Sequence, residues 1–105
     1  MEHYNVRFLA DALEDVEEIV LYVARDSKAA ALQMHDTIIE RVRDLKLFPK
    51  RGVLIPDKKL AAYSFRMLPI GAYIAFYKID GNVVHIHRVL HGARNYPTLP
   101  ARKED

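Results

Sequence analysis

Residues 63–96, YSFRMLPIGAYIAFYKIDGNVVHIHRVLHGARNY, decide the fold. Within them, 72–79 and 83–90 are dense in aromatic and β-branched residues, the composition that suits a pleated, half-buried surface. Asp80-Gly81 separates them, a dipeptide that favours a tight hairpin turn because glycine accepts positive φ without strain. Residues 63–68 read as a further strand, and Pro69 with Gly71 marks the turn into the next. The expectation is a three-strand antiparallel meander. Arg66, His85, His87, Arg88, His91, Arg94 and Tyr96 all fall in this stretch, so most of the available chemistry lies here too.

The chain around it is built to support that sheet. Tyr4, Val6 and Phe8 alternate with His3, Asn5 and Arg7, the period-two mark of a half-buried edge strand. Asp11 then opens a helical pattern in which Leu13, Val16, Ile19, Val20 and Val23 form one apolar stripe. Asp11, Glu14 and Asp15 lie in its first turns, where carboxylates complement the helix N-terminal partial charge, and paired acids such as Glu14 with Glu18 read as a solvated face rather than as acid–base or metal chemistry. Arg25-Asp26-Ser27 breaks this helix, and Ser27 is placed to cap a second. From Lys28 to Phe48 the apolar positions are Ala31, Met34, Ile38, Val42 and Leu45, and His35 flanks that stripe as a surface residue. Pro49, with no N–H to give, ends the helix. Helices at about 10–25 and 28–48 joined by two or three residues run antiparallel. Residues 53–59 read as a loop carrying Lys58 and Lys59. The order β-α-α-β-β-β defines an α+β fold with an antiparallel helical hairpin on one face of the sheet.

At 105 residues, half of them hydrophobic, the chain makes one domain with one modest core, its tail from about 97 to 105 extended or frayed. The absence of cysteine excludes a disulfide framework, a thiol nucleophile and a thiolate metal site. No apolar stretch approaches membrane-spanning length and no signal-peptide pattern is present, so the expected setting is the cytoplasm, away from membranes. Net charge is +2 but unevenly spread. Residues 1–40 hold nine acids against three Lys/Arg, and residues 41–103 hold thirteen Lys/Arg against three acids. A second half at +10 calls for an acidic partner, either nucleic acid or an acidic protein segment.

Three chemistries compete on the sheet. His85 and His87, on one face of a regular strand with His91 beyond, have spacing compatible with a zinc site, but no third ligand is compelling, and neither metal nor any other cofactor is expected. The same imidazoles suit general acid–base work near neutrality. Arg66 and Arg94 over the sheet, with Tyr96 to stack a base, would suit a phosphodiester; on spacing alone, surface salt bridges explain the two arginines slightly better. Apolar residues occur on both faces of the last strand, which admits a bulge near Arg88.

Taken in order, DALEDVEEIVLYVARDS, then IIERVRDLKLFPKRG, then the stretch quoted at the outset resemble the RelE/ParE superfamily of toxins from type II toxin–antitoxin systems, over about residues 4–96. The most telling pieces are L-x-x-F-P-x-x-G (Leu45, Phe48, Pro49, Gly52), Y-x-x-x-Y (Tyr73, Tyr77) and V-L-H-G-x-R (Val89 to Arg94). The resemblance implies a growth inhibitor neutralised by a small, acidic cognate antitoxin that lays a helix and an extended segment across it. A homodimer, or a heterotetramer with the antitoxin, is the assembly left open.

Two activities occur in the superfamily. RelE-like members cleave mRNA in the ribosome, with basic residues stabilising the phosphate; ParE-like members poison DNA gyrase without that catalytic set. Arg66 and Arg94 correspond to basic positions of the RelE-type site, and His91 and Tyr96 would complete it. Ile74 and Ser64 stand where that site has further charge, and Tyr96 is near, but not at, the position of its terminal tyrosine. The departures favour the ParE-like branch, with Arg88, Arg94, Tyr96, Lys58 and Lys59 as contacts to target or antitoxin. The competing expectations are a ribosome-dependent endoribonuclease and a binding module that has lost its toxicity.

Overall fold

A computed structural model of the protein describes residues 3–55 and 62–92. The chain runs β1 (Asn5–Phe8), α1 (Ala10–Ala24), α2 (Lys28–Arg43), a 3₁₀ turn (Asp44–Lys46), β2 (Val53–Leu54), β3 (Arg66–Ile70), β4 (Tyr73–Asp80) and β5 (Val83–His91). The five strands form one sheet in the order β1-β5-β4-β3-β2. β1 pairs parallel to β5, with Asn5 opposite Val83 and Phe8 opposite Ile86; the other neighbours pair antiparallel. The α+β fold and the meander therefore stand as the sequence implies. One strand was not legible: Val53 and Leu54, expected in a loop, pair with Met67 and Arg66. Two residues are too few to display a period.

Both hairpin turns are two-residue loops that start on a glycine of positive φ, Gly71 at 61° and Gly81 at 59°. The register places Gly81-Asn82, rather than Asp80-Gly81, at the centre of the β4–β5 turn. Asn82 keeps negative φ, so the turn follows the II′ pattern, with glycine first, instead of I′. Pro69, expected in a turn, lies inside β3 opposite Ile74. It is tolerated there because it lies beyond the two β3 residues that pair with β2, and its carbonyl accepts from Arg41 Nη2 at 3.0 Å.

The helical hairpin covers one face of the sheet. Ser27 caps α2, its Oγ accepting from the Ala30 N–H at 3.0 Å, which satisfies one of the donors a helix start leaves open. Val16, Ile19, Ile38, Val42 and Leu45 pack with Leu68, Ile70, Tyr73, Ala75, Tyr77, Val84, Ile86 and Val89 into the main core; Val20, Val23 and Met34 are partly buried at its edge. Full burial of each valine, leucine or isoleucine among them favours folding by about 1.5–3 kcal/mol. A second, smaller cluster of Ile55, Phe65, Phe76 and Leu90, with Met67 and Ile74 against it, lies on the other face. Alternation along β4 divides the residues: Tyr73, Ala75 and Tyr77 join the helix-side core, Ile74 and Phe76 the opposite cluster. Leu13, expected in the α1 stripe, is 55% exposed, while Ala12 and Asp15 are buried in its place.

Candidate functional site

Three features organise the surface where function was expected, and the first is a latch. After the 3₁₀ turn the chain doubles back through Pro49 to Gly52 and is tied down by Tyr77 from the centre of the sheet. The Tyr77 hydroxyl donates to the Pro49 carbonyl at 2.7 Å and accepts from the Gly52 N–H at 2.8 Å. Arg66 joins from β3, its Nη1 donating to the carbonyls of Gly52 at 2.7 Å and Lys50 at 3.4 Å. A Cβ on Gly52 would lie 2.7 Å from both Cε1 and Oη of Tyr77 and 2.8 Å from the Met67 carbonyl, so only glycine fits. Burial raises the Tyr77 pKa, against the opposing pull of the Gly52 hydrogen bond and the Arg66 charge. This accounts physically for most of the L-x-x-F-P-x-x-G run: Leu45 is fully buried, Pro49 supplies an acceptor, and Gly52 allows the close approach.

The second is a largely buried ion pair. Arg88 donates from Nε to Asp15 Oδ2 at 2.6 Å and from Nη2 to Oδ1 at 2.8 Å, and the Val89 N–H donates to Oδ2 at 2.9 Å. A bulge makes this geometry available. Tyr77 faces Ile86 and Phe76 faces Arg88, which leaves His87 as the extra residue on β5 and turns the Val89 N–H away from the ladder. The hydrogen bonds to Asp15 raise the Arg88 pKa; burial opposes them, and the charges of Asp15, Asp11 and Glu18 add to them. Asp15, expected only to complement the start of α1, is buried. Its position three residues after Ala12 and four before Ile19 puts it among the inward-facing residues, and that spacing was the available signal. The pair forms the floor of a cleft of about 480 Å³ between α1 and the end of β5, walled by Glu18, Tyr22, Tyr73 and His91.

The third is the separation of the expected site residues. Arg66 pairs with Tyr77 and His91 with Tyr73, four residues apart on β4 and hence about 13 Å of strand. His91 meets the Tyr73 ring edge-on at 5.5 Å, while His87 is buried edge-on against Phe65 at 4.8 Å, towards the smaller cluster. His85 Nδ1 lies 3.2 Å from Asp80 Oδ2. The three histidines thus have three different surroundings, and among the described residues no group of three or more His, Cys, Asp or Glu side chains is gathered as metal ligands. Arg88 is committed to Asp15. Arg94, Tyr96, Lys58 and Lys59 lie outside the described residues. None of the described helices is long and apolar enough to cross a membrane.

The order of a parallel first strand, a helical hairpin and an antiparallel meander is shared with solved toxin structures. The family model for the ParE toxin of the parDE type II toxin–antitoxin system matches residues 6–96. The chain belongs to that family. Among solved structures, it is similar to the chromosomal ParDE toxin–antitoxin system from P. aeruginosa at 21% identity and a TM-score of 0.70, over 85% of this chain and 96% of that one. It is also similar to the RelBE2 toxin–antitoxin complex from Mycobacterium tuberculosis at 24% identity and a TM-score of 0.65, over 85% of this chain and 98% of that one. No curated protein matches the sequence.

Proposed function

We propose that this toxin arrests growth by binding DNA gyrase, and that a small acidic antitoxin neutralises it by covering its basic half. The observation that carries the reading is the engagement of Arg66. A ribonuclease of the RelE type needs converging cations aimed at the scissile phosphate. Arg66 turns one guanidinium nitrogen, Nη1, to two backbone carbonyls of the latch. His91 lies at the far end of β4, and Ser64 and Ile74 bring no charge. Each missing charge-assisted contact, at about 1.5–3 kcal/mol, removes roughly ten- to a hundredfold from a rate if it acts in the transition state. A protein-binding mode of action needs no such convergence. The uneven charge, +10 over residues 41–103, supports an acidic antitoxin through complementarity.

The test runs two assays side by side with purified toxin, gyrase supercoiling and in vitro translation with mapping of mRNA ends. Inhibited supercoiling with intact mRNA is expected, and Arg94→Ala should weaken the inhibition. Site-specific mRNA cuts by the unmodified protein, lost in Arg66→Ala and Arg94→Ala, would replace this reading with the ribosome-dependent endoribonuclease.

A further inference from the structure

At the outer corner where α2 and the 3₁₀ turn run into residues 47–51, the latch takes only the backbone carbonyls of Pro49 and Lys50 and leaves the neighbouring side chains facing outward. Phe48 is 53% exposed there and Leu47 44%, although the main core begins two residues earlier at fully buried Leu45. The Arg51 guanidinium carbon stands 4.9 Å from the centroid of the Phe48 ring, so a flat cation is already stacked on an exposed aromatic. Beside it opens a shallow concavity of about 500 Å³ lined by Tyr4, Phe48, Pro49, Lys50 and Arg51, with no acidic residue in its wall. Tyr4 is held at the rim by its N–H, which donates to the Lys46 carbonyl at 3.0 Å. Lys46, Lys50 and Arg51 are all exposed. The sole acid paired nearby among the described residues, Asp44, reaches Arg51 at 3.8 Å across solvent-exposed side chains, a distance and setting in which the pair contributes little.

We propose that this corner binds a single strand of nucleic acid, with a base stacked on the Phe48–Arg51 platform and the adjoining phosphates on Lys46, Lys50 and Arg51. Aromatic rings and guanidinium planes in a cationic groove are the elements that hold single strands without reading sequence. An acidic protein segment would satisfy the cations but gives no use to an exposed ring already carrying a stacked guanidinium, so the nucleic-acid strand is the better fit. The proposal is independent of whether gyrase or ribosomal mRNA is the target.

Fluorescence anisotropy with the full-length toxin and labelled twelve-nucleotide DNA and RNA strands tests it, with the matching duplex and a glutamate-rich peptide as further arms. Three phosphate contacts on a single strand give a salt slope of about −2, hence affinity falling roughly twentyfold from 50 to 200 mM salt. Phe48→Ala should weaken strand binding about tenfold and leave that slope unchanged, because it removes stacking alone. Arg51→Gln should weaken binding and lower the slope by about 0.7. Lys28→Gln, a distant exposed cation at the start of α2, should change nothing. Phe48 and Arg51 are both exposed, and circular dichroism verifies that each variant keeps its fold. Binding of either strand with these responses supports the site. Absence of strand binding at 50 mM salt, duplex binding as tight as single-strand binding with Phe48→Ala silent, or equal competition by the acidic peptide would each overturn it.

Discussion

Tyr77 shows how one side chain fixes a turn that is remote in sequence. Its hydroxyl serves Pro49 and Gly52, so Tyr77→Phe leaves a buried N–H without its acceptor and should cost about 1–3 kcal/mol in urea denaturation. The sign of its pH dependence follows from the raised pKa. A tyrosine favoured neutral in the fold contributes fully below its unfolded pKa, near 10, and that contribution is lost as pH rises through the folded value. Stability should therefore fall faster above pH 10 in the parent than in Tyr77→Phe; parallel curves would contradict the assignment. Gly52→Ala should be destabilising by about 1–3 kcal/mol from overpacking. Combining it with Tyr77→Phe should not restore stability, since Cε1 and the Met67 carbonyl still obstruct the new methyl. The sequence showed the motif letters but not this contact, because the partners are 25 residues apart and no local period joins them.

At the scale of elements, the hydrophobic periods located the helices and the last three strands, but which face turned inward depended on a polar contact. Hydrophobicity alone turns Leu13 towards the core; the structure turns Ala12 and Asp15 there, because Asp15 answers both Arg88 and the N–H that the β5 bulge releases. The mixed faces of β5 signalled the bulge, yet nothing local to β5 named the carboxylate 73 residues upstream. Removing one partner of a buried pair typically costs about 3–5 kcal/mol. Asp15→Ala should lie at the lower end, since the Arg88 side chain keeps 18% of its exposure and reaches water. The double change Asp15→Leu with Arg88→Met removes both charges and should recover most of the loss, leaving the unpaired Val89 N–H at about 1 kcal/mol or more. Urea melts of the three proteins decide it: a double variant no more stable than Asp15→Ala would mean that the stranded Arg88 charge is not the source of the cost.

For the whole molecule, the consequence of this topology is that no element has a core of its own. The first strand pairs with the last, and both helices share one cluster with β3, β4 and β5. The second cluster is too small to hold the sheet together by itself, and it borrows Phe76 and Leu90 from the strands that carry the first. The hairpin and sheet should therefore unfold together as a single cooperative unit. Ile38, on α2 and fully buried, is the position to probe this, because it shares one core cluster with the strands of the sheet and makes none of the hydrogen bonds of the latch or the ion pair. Ile38→Ala removes methylenes that neighbours cannot replace and should cost about 3 kcal/mol. In a chain of this size that lowers the melting temperature by roughly 12–24 °C. Helix loss followed by far-ultraviolet circular dichroism and loosening of the sheet followed by tyrosine fluorescence should shift by the same amount and stay superimposed. If the helical signal melted early while the tyrosine signal kept its parent midpoint, the hairpin would be a separable layer rather than part of one cooperative core.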